Sequence, residues 1–399
     1  MGLLSTQVAA SLERSSWIRK MFETGRELKE QFGEENVYDF SLGNPDLPPP
    51  PEVGQGLRRI ADQSGRPFAF GYMPNNGYPQ VREHLAARLS REQGVAVGAE
   101  DCILTCGAAG GLNALFRAVM EPGEEIACPA PYFVEYGFYA QNHGARLVPV
   151  PTEPLTFRLD LEAMARAVSE KTRIVLINSP NNPSGQVYEE HELRALSKLL
   201  ADKSREFGRP IFLVSDEPYR FLTFEGVKVP SILPLYPHSV VVSSFSKNLS
   251  LAGERIGFVL LNPAMEERAE VMNGLVFTNR ILGYVNAPAV GQLILDSAMQ
   301  AEVDVSVYRE RRRAMVTVLE EAGYTFTRPK GAFYVFPQAP GGDDVAFVQT
   351  LQQERILAVP GTGFGTPGYF RLTFCVDAGV IERSAQGFRR AMERNTPPS

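Results

Sequence analysis

The chain has 399 residues, 44% of them hydrophobic and 22% charged, a balance that suits a globular protein with a sizeable core in two or three domains. Lys and Arg number 40 against 46 Asp and Glu, a net charge of −6 with no basic block, which argues against a nucleic-acid or anionic-membrane surface. No apolar run reaches membrane-spanning length, no signal-peptide order opens the chain, and Cys102, Cys106, Cys128 and Cys375 show no zinc spacing. Free thiols in the cytoplasm are expected, with no metal site.

MGLLST fits the loose pattern for N-terminal acylation at Gly2, with nothing further to support it. Residues 7–32 read as a polar helical arm. The run SLGNPDLPPPPEV, Ser41 to Val53, predicts an extended linker, because four consecutive prolines favour open backbone. Beyond it, VREHLAARLSREQG, AAGGLNALFRAVM and LDLEAMARAVS carry apolar residues at helical spacing. Among these helices lie seven short apolar runs: CILTC, EIACPA, ARLVPV, TRIVLINSP, PIFLVSDEP, SVVVSSFS and RIGFVLLN. Strand-like runs alternating with helices predict a mostly parallel sheet covered on both faces. After about Pro288 comes a charged helix, DVSVYRERRRAMVTVLEEAG, whose triple arginine reads as a solvated face. FYVFP, ILAVPG and YFRLTFC follow as strands of a smaller unit. The expected class is α/β: a large domain with a seven-stranded sheet between helices, over 54–287. A smaller α+β domain combines the arm and linker, 1–53, with the C-terminal part, 288–399.

In open α/β sheets ligands bind beyond the carboxyl ends of the strands. CILTC runs into GAAGG, EIACPA into PYF, IVLINSP into NNPSG, PIFLVSDEPY ends in Asp216 and Tyr219, and VVVSSFSK ends in Lys247. Such convergence is what a cofactor site needs. Each piece also has a plain reading: GAAGG permits tight strand-to-helix packing, and NNPSG is an ordinary loop. Neither GAAGG nor GTGFG, 361–365, matches a dinucleotide fingerprint. A lysine and a carboxylate at the ends of buried strands are harder to dismiss, since each needs a partner or a task. A lysine amine forms a Schiff base with a carbonyl cofactor, chiefly pyridoxal phosphate. That chemistry also needs a carboxylate for the ring nitrogen, donors for the ring hydroxyl, a phosphate cup and a cation for the substrate carboxylate. All these residue types are available.

SFSKNLSLAGERIG resembles the lysine signature of the class I/II aminotransferases, the fold-type I pyridoxal phosphate enzymes of the aspartate aminotransferase superfamily. LGNPD, GYMPNNGYPQVRE, CGAAGGLNAL, PAPYFVEY, NSPNNPSG, SDEPY and PGTGFGTPGYFRLTF match further motifs in the family's order over nearly the whole chain. The resemblance implies that Lys247 carries the cofactor, pyridoxal 5'-phosphate, and shuttles a proton. It implies that Asp216 pairs with the ring nitrogen, that Asn182 and Tyr219 donate to the ring hydroxyl oxygen, and that Tyr132 stacks on the ring. The Ala108 and Ala109 amides, Ser244, Ser246 and Arg255 are implied to surround the phosphate, with Tyr72 reaching the phosphate of a neighbouring subunit in a homodimer. Arg371 is implied to grip the substrate α-carboxylate, with Gly43 backbone beside it.

An L-amino acid and a 2-oxoacid, by family 2-oxoglutarate, are the implied substrates, exchanged by a ping-pong route. Arg280 lies near the place where acidic-substrate members carry a second arginine, though its spacing to the asparagine–proline segment does not match; a structural role is the other reading. Tyrosine rather than tryptophan at the stacking position leans toward a broader or less acidic donor. A C–S β-lyase on the same fold, or a non-catalytic binding protein, are the alternatives. The second is expected to lose Lys247. A regulator reading lacks its DNA-binding module ahead of residue 40.

Overall fold

The computed structural model describes residues 3–395, and the side chains of all of these except 13–22. Gly2 of the acylation pattern lies outside the described residues. The chain opens with α1 (Thr6–Phe32), β1 (Tyr38–Asp39), α2 (Pro51–Gln63) and α3 (Pro79–Gln93). Next come β2 (Cys102–Cys106), α4 (Gly107–Val119), β3 (Glu125–Pro129), α5 (Glu135–Gln141), β4 (Arg146–Val150), α6 (Leu161–Ala167) and β5 (Thr172–Asn178). Then follow α7 (Glu190–Phe207), β6 (Phe212–Asp216), β7 (Ser239–Ser244), β8 (Ile256–Leu261), α8 (Arg268–Ile281) and α9 (Ala289–Ala298). The last part holds α10 (Val305–Glu321), β9 (Tyr334–Val335), α11 (Asp344–Gln353), β10 (Ile356–Leu357), β11 (Val359–Pro360), β12 (Phe370–Thr373) and α12 (Ala378–Asn395).

Seven strands form the main sheet in the order β2-β8-β7-β6-β5-β3-β4. Only β8 runs against the others, pairing antiparallel with both β2 and β7. Residues of β6, β7 and β8 are buried throughout, which explains their unbroken apolar runs: both faces of a parallel sheet are covered. Strand alternation sorts the core into two layers. Val241 and Leu260 face a layer with Leu85 of α3, Leu196 of α7 and Ile294 of α9. Val240, Val242 and Val259 face another with Phe116 of α4, Tyr136 of α5 and Leu275 of α8.

A separate aromatic core gathers Phe40, Tyr308, Phe333, Phe370, Phe374 and Phe388. Here β1 pairs parallel with β10, so the segment after α1 is built into the C-terminal part. Three expectations need correction. The linker ends early, because Pro51 already sits in the first turn of α2, where its missing N–H costs nothing. Helix α9 does not belong to the smaller unit: Ile294 and Leu295 pack beneath the large sheet, so the division falls after it rather than at residue 287. Nor is the triple arginine a solvated face throughout, since only Arg313 of the three is exposed. Arg311 is buried and bonds Asp46 through both oxygens, at 2.7 and 2.8 Å. Arg312, also buried, holds the Pro329 carbonyl and Glu225 and lies over the Phe224 ring. Buried guanidinium groups with fixed partners tie α10 to distant segments.

Candidate active site

Because β8 alone is reversed, its start lies at the same sheet edge as the ends of its neighbours. That edge therefore receives Asp216 from β6, Ser244 from β7 and Arg255 ahead of β8, with Asn178 of β5 directly beside Asp216 in register. Cys106, which ends β2 beside Ile256, is the residue before α4 and makes no side-chain cap. The first-turn N–H groups of α4 are thus left for a ligand. Gly107 at φ 69° opens this helix, and a Cβ there would lie 2.8 Å from Nη2 of Arg255. The guanidinium is held against the helix start, with Nη1 donating to the Ala252 carbonyl at 2.9 Å. Ser244 pairs with Gly257, whose Cα faces the Ala108 N–H, and Ser246 is buried close by in sequence. A helix N-terminus with a guanidinium held against it suits an anion, and the buried Ser244 and Ser246 lie in the adjoining segment.

Asp216 is buried, and Oδ2 accepts from the Tyr136 hydroxyl at 2.5 Å while Oδ1 has no partner. Burial pushes its carboxyl up to about 7, against the Tyr136 bond, which lowers it. An open, buried carboxylate oxygen calls for a cation or donor. Burial also pushes the Lys247 amine down to about 8, and the guanidinium groups of Arg371 and Arg255 add to the effect. Nζ donates to the Gly43 carbonyl at 2.8 Å.

Arg371, from β12, is buried among the rings of Tyr334 and Phe364, each 4.8 Å from its guanidinium carbon. Nη1 donates to Asn182 Oδ1 at 3.1 Å and Nη2 to the Ser41 carbonyl at 2.5 Å, while Nε has no partner. No acidic side chain pairs with it among the described residues. The bond to Arg371 also orients the Asn182 amide, leaving its NH₂ group free to donate. Tyr219 meets the Tyr334 hydroxyl at 3.0 Å. Tyr132 is half-buried, its N–H bonded to the Phe364 carbonyl and its ring against Gly365.

The fold thus brings Gly43, Ala108, Ala109, Tyr132, Asn182, Asp216, Tyr219, Ser244, Ser246, Lys247, Arg255 and Arg371 to one region. Tyr72 and Arg280 are not among them. Tyr72 is 95% exposed, and Arg280 sits on the outer face of α8 over the Phe277 ring. Sequence reasoning missed the Ser41 carbonyl and two tyrosines that bond the key side chains: Tyr136, the last residue of PAPYFVEY, and Tyr334 of FYVFP, which reads only as a strand.

The model of aminotransferase class I and II matches residues 35–388. The chain belongs to this family. It is a pyridoxal phosphate-dependent aminotransferase. Among its relatives, an aspartate aminotransferase of Pyrococcus horikoshii is 28% identical over 391 residues, covering 96% of each chain. The aspartate/prephenate aminotransferase of Thermus thermophilus is 31% identical, covering 89% of this chain and 91% of its own. In structure, an amino transferase of Eubacterium rectale superposes with a TM-score of 0.94 at 37% identity, over 99% of this chain and all of the other. The Thermus thermophilus aspartate aminotransferase with maleate gives 0.84 at 28% identity, over 98% of this chain and 100% of that one. The aminotransferase carries its buried polar groups in a pattern that fits the family's cofactor: an open carboxylate oxygen, an uncapped helix start beside a guanidinium, and an amine kept largely unpaired.

Proposed function

We propose that this chain is a cytoplasmic homodimer that moves an amino group between an L-amino acid and a 2-oxoacid, with 2-oxoglutarate as acceptor. The observation that carries the reading is Arg371, a buried guanidinium with a free Nε and no carboxylate partner, within electrostatic reach of Lys247. A buried cation without an anion is costly, and a substrate carboxylate resolves it. Bound pyridoxal 5'-phosphate supplies a ring that stabilises negative charge at the substrate α-carbon. Lys247, part-neutral near neutral pH, is suited to bind the cofactor carbonyl and to move the α-proton. Asp216 Oδ1 would receive the ring nitrogen, Asn182 and Tyr219 would donate to the ring oxygen, and Tyr132 would lie against the ring. The α4 start with Ala108 and Ala109, Ser244, Ser246 and Arg255 would hold the phosphate.

The surface supports a dimer. Phe68, Phe70, Tyr72, Phe277 and Ile281 are exposed, and the Asn75 side chain bonds the Val285 carbonyl at 2.8 Å, bringing their segments onto one face. An apolar face of this kind needs a cover, and a second copy brings Tyr72 to its neighbour's phosphate cup. Arg280 shares the face, and in this reading reaches a distal carboxylate in the neighbouring site. The names of the relatives, aspartate and aspartate/prephenate, support an aspartate-type or broad donor range.

The test is to mix purified holoenzyme with single L-amino acids and follow the cofactor band and the keto-acid formed. Loss of the visible band with stoichiometric 2-oxoacid is expected, aspartate and glutamate leading. Pyruvate and ammonia accumulating catalytically without 2-oxoglutarate would mark a β-lyase instead. Arg371→Ala is expected to lower kcat/KM about 10³-fold for every donor, the scale of two lost hydrogen bonds to a charged group. Loss confined to acidic donors would remove its role as α-carboxylate clamp.

A further inference from the structure

We propose that Tyr334 is a positioning residue: its hydroxyl donates to Tyr219 and so leaves the Tyr219 proton directed at the site. The inference rests on the function proposed above and concerns a residue that carries none of its assigned roles. The two hydroxyl oxygens stand 3.0 Å apart, and both rings are buried, 5.7 Å between centroids at an interplanar angle of 87°. Gly43 closes the other side of the Tyr334 hydroxyl, since a Cβ there would lie 1.9 Å from it. No side chain fits between that hydroxyl and the Gly43 backbone.

The backbone fixes this arrangement. Tyr219 opens a turn closed by the Leu222 N–H at 2.9 Å, and the Leu222 carbonyl then accepts from Ala332 at 3.0 Å. Ala332 stands at φ 57°, a left-handed conformation that alanine disfavours. Gly331 beside it has no room for a Cβ, which would meet Pro180 at 2.7 Å and the Leu222 carbonyl at 2.8 Å. The strained entry to β9 sets Tyr334 in register with Thr373 of β12, so its ring lies under the Arg371 guanidinium. One chain of bonds therefore fixes Tyr334 against Tyr219 and Arg371 together.

A tyrosine hydroxyl has a single proton to give. If Tyr219 gave it to Tyr334, nothing would remain for the ring oxygen of the cofactor. The positive charge on the Tyr334 ring face makes that hydroxyl the better donor of the pair, so Tyr219 accepts from it and donates onward. Hydrogen bonds in such a series strengthen one another.

The experiment compares the holoenzyme with Tyr334→Phe, which keeps the ring and removes only the hydroxyl. Its readout is the pH titration of the bound cofactor's visible absorbance, with thermal melting as a control. The midpoint is expected to rise by about half a pH unit, the scale of one neutral hydrogen bond partly transmitted. Tyr219→Phe should raise it further, and the double variant should match Tyr219→Phe alone, because Tyr334 acts only through Tyr219. An unmoved midpoint in Tyr334→Phe, a downward shift, or additive shifts in the double variant would each overturn the inference. Wild-type protein with no titrating cofactor band would overturn the underlying reading and the inference with it.

Discussion

Lys247→Ala is expected to lose turnover by at least about 10⁴-fold, the upper end of what a positioned acid–base group contributes, because the amine also has to hold the cofactor carbonyl. Lys247 pairs with no carboxylate among the described residues; its amine touches the Gly43 carbonyl and lies 5.5 Å from the Phe333 ring centre. Held down to about 8, it is neutral often enough at physiological pH to act as a nucleophile and base. Removing an uncompensated buried cation should not lower the melting temperature of the cofactor-free protein, so lost turnover would not report misfolding. Cofactor should still bind through the α4 cup and Asp216. Borohydride should fix cofactor to the wild-type peptide bearing Lys247 and to no peptide of the variant. Lys247→Arg should fare no better, since a guanidinium is never neutral in a protein. A Lys247→Ala enzyme retaining a tenth of wild-type kcat would dismiss this role.

Much of the fold can be read before any coordinates. The central strands announce themselves because they are buried on both faces, which forces continuous apolar runs such as SVVV, Ser239 to Val242. What they point at can be read too, since parallel strands must deliver their following residues to one edge. Packing between remote segments is what escapes. AVGQLILDSA of α9 is apolar enough for either unit, and only its contact with α2 and α3 assigns it to the large sheet. The burial of Arg311 depends on Asp46, 265 positions away. Tyr136 and Tyr334 escape for a related reason: their hydroxyls matter through partners 80 and 115 positions distant, and no spacing signals that. Tyr72 and Arg280 lie on the surface of one chain, so any role in a site needs a second.

Asp216→Asn is expected to lower kcat about 10³-fold, the upper end for a preorganised electrostatic partner, and to change how stability depends on pH. The two effects share one cause. Asp216 is buried with Oδ1 unpartnered, so its folded carboxyl titrates near 7 rather than at 3.8. Below pH 3.8 the side chain is protonated whether folded or unfolded. Between 3.8 and about 7 the unfolded chain ionises first, so the protonated side chain's stabilising contribution is lost as pH rises, and is gone above the folded value. A rise of roughly 3 units corresponds to about 4 kcal/mol across that window in the cofactor-free protein. Asparagine removes the titration and with it that part of the slope. Its amide fills the same space and can still bond Tyr136, yet it offers no charge to a protonated ring nitrogen, so catalysis falls while packing holds. Denaturant titrations of both proteins at pH 4.5 and 7.5 give the difference directly. If the two lose stability in parallel, the buried carboxyl is already satisfied in the free protein, and the open oxygen is not what receives the ring.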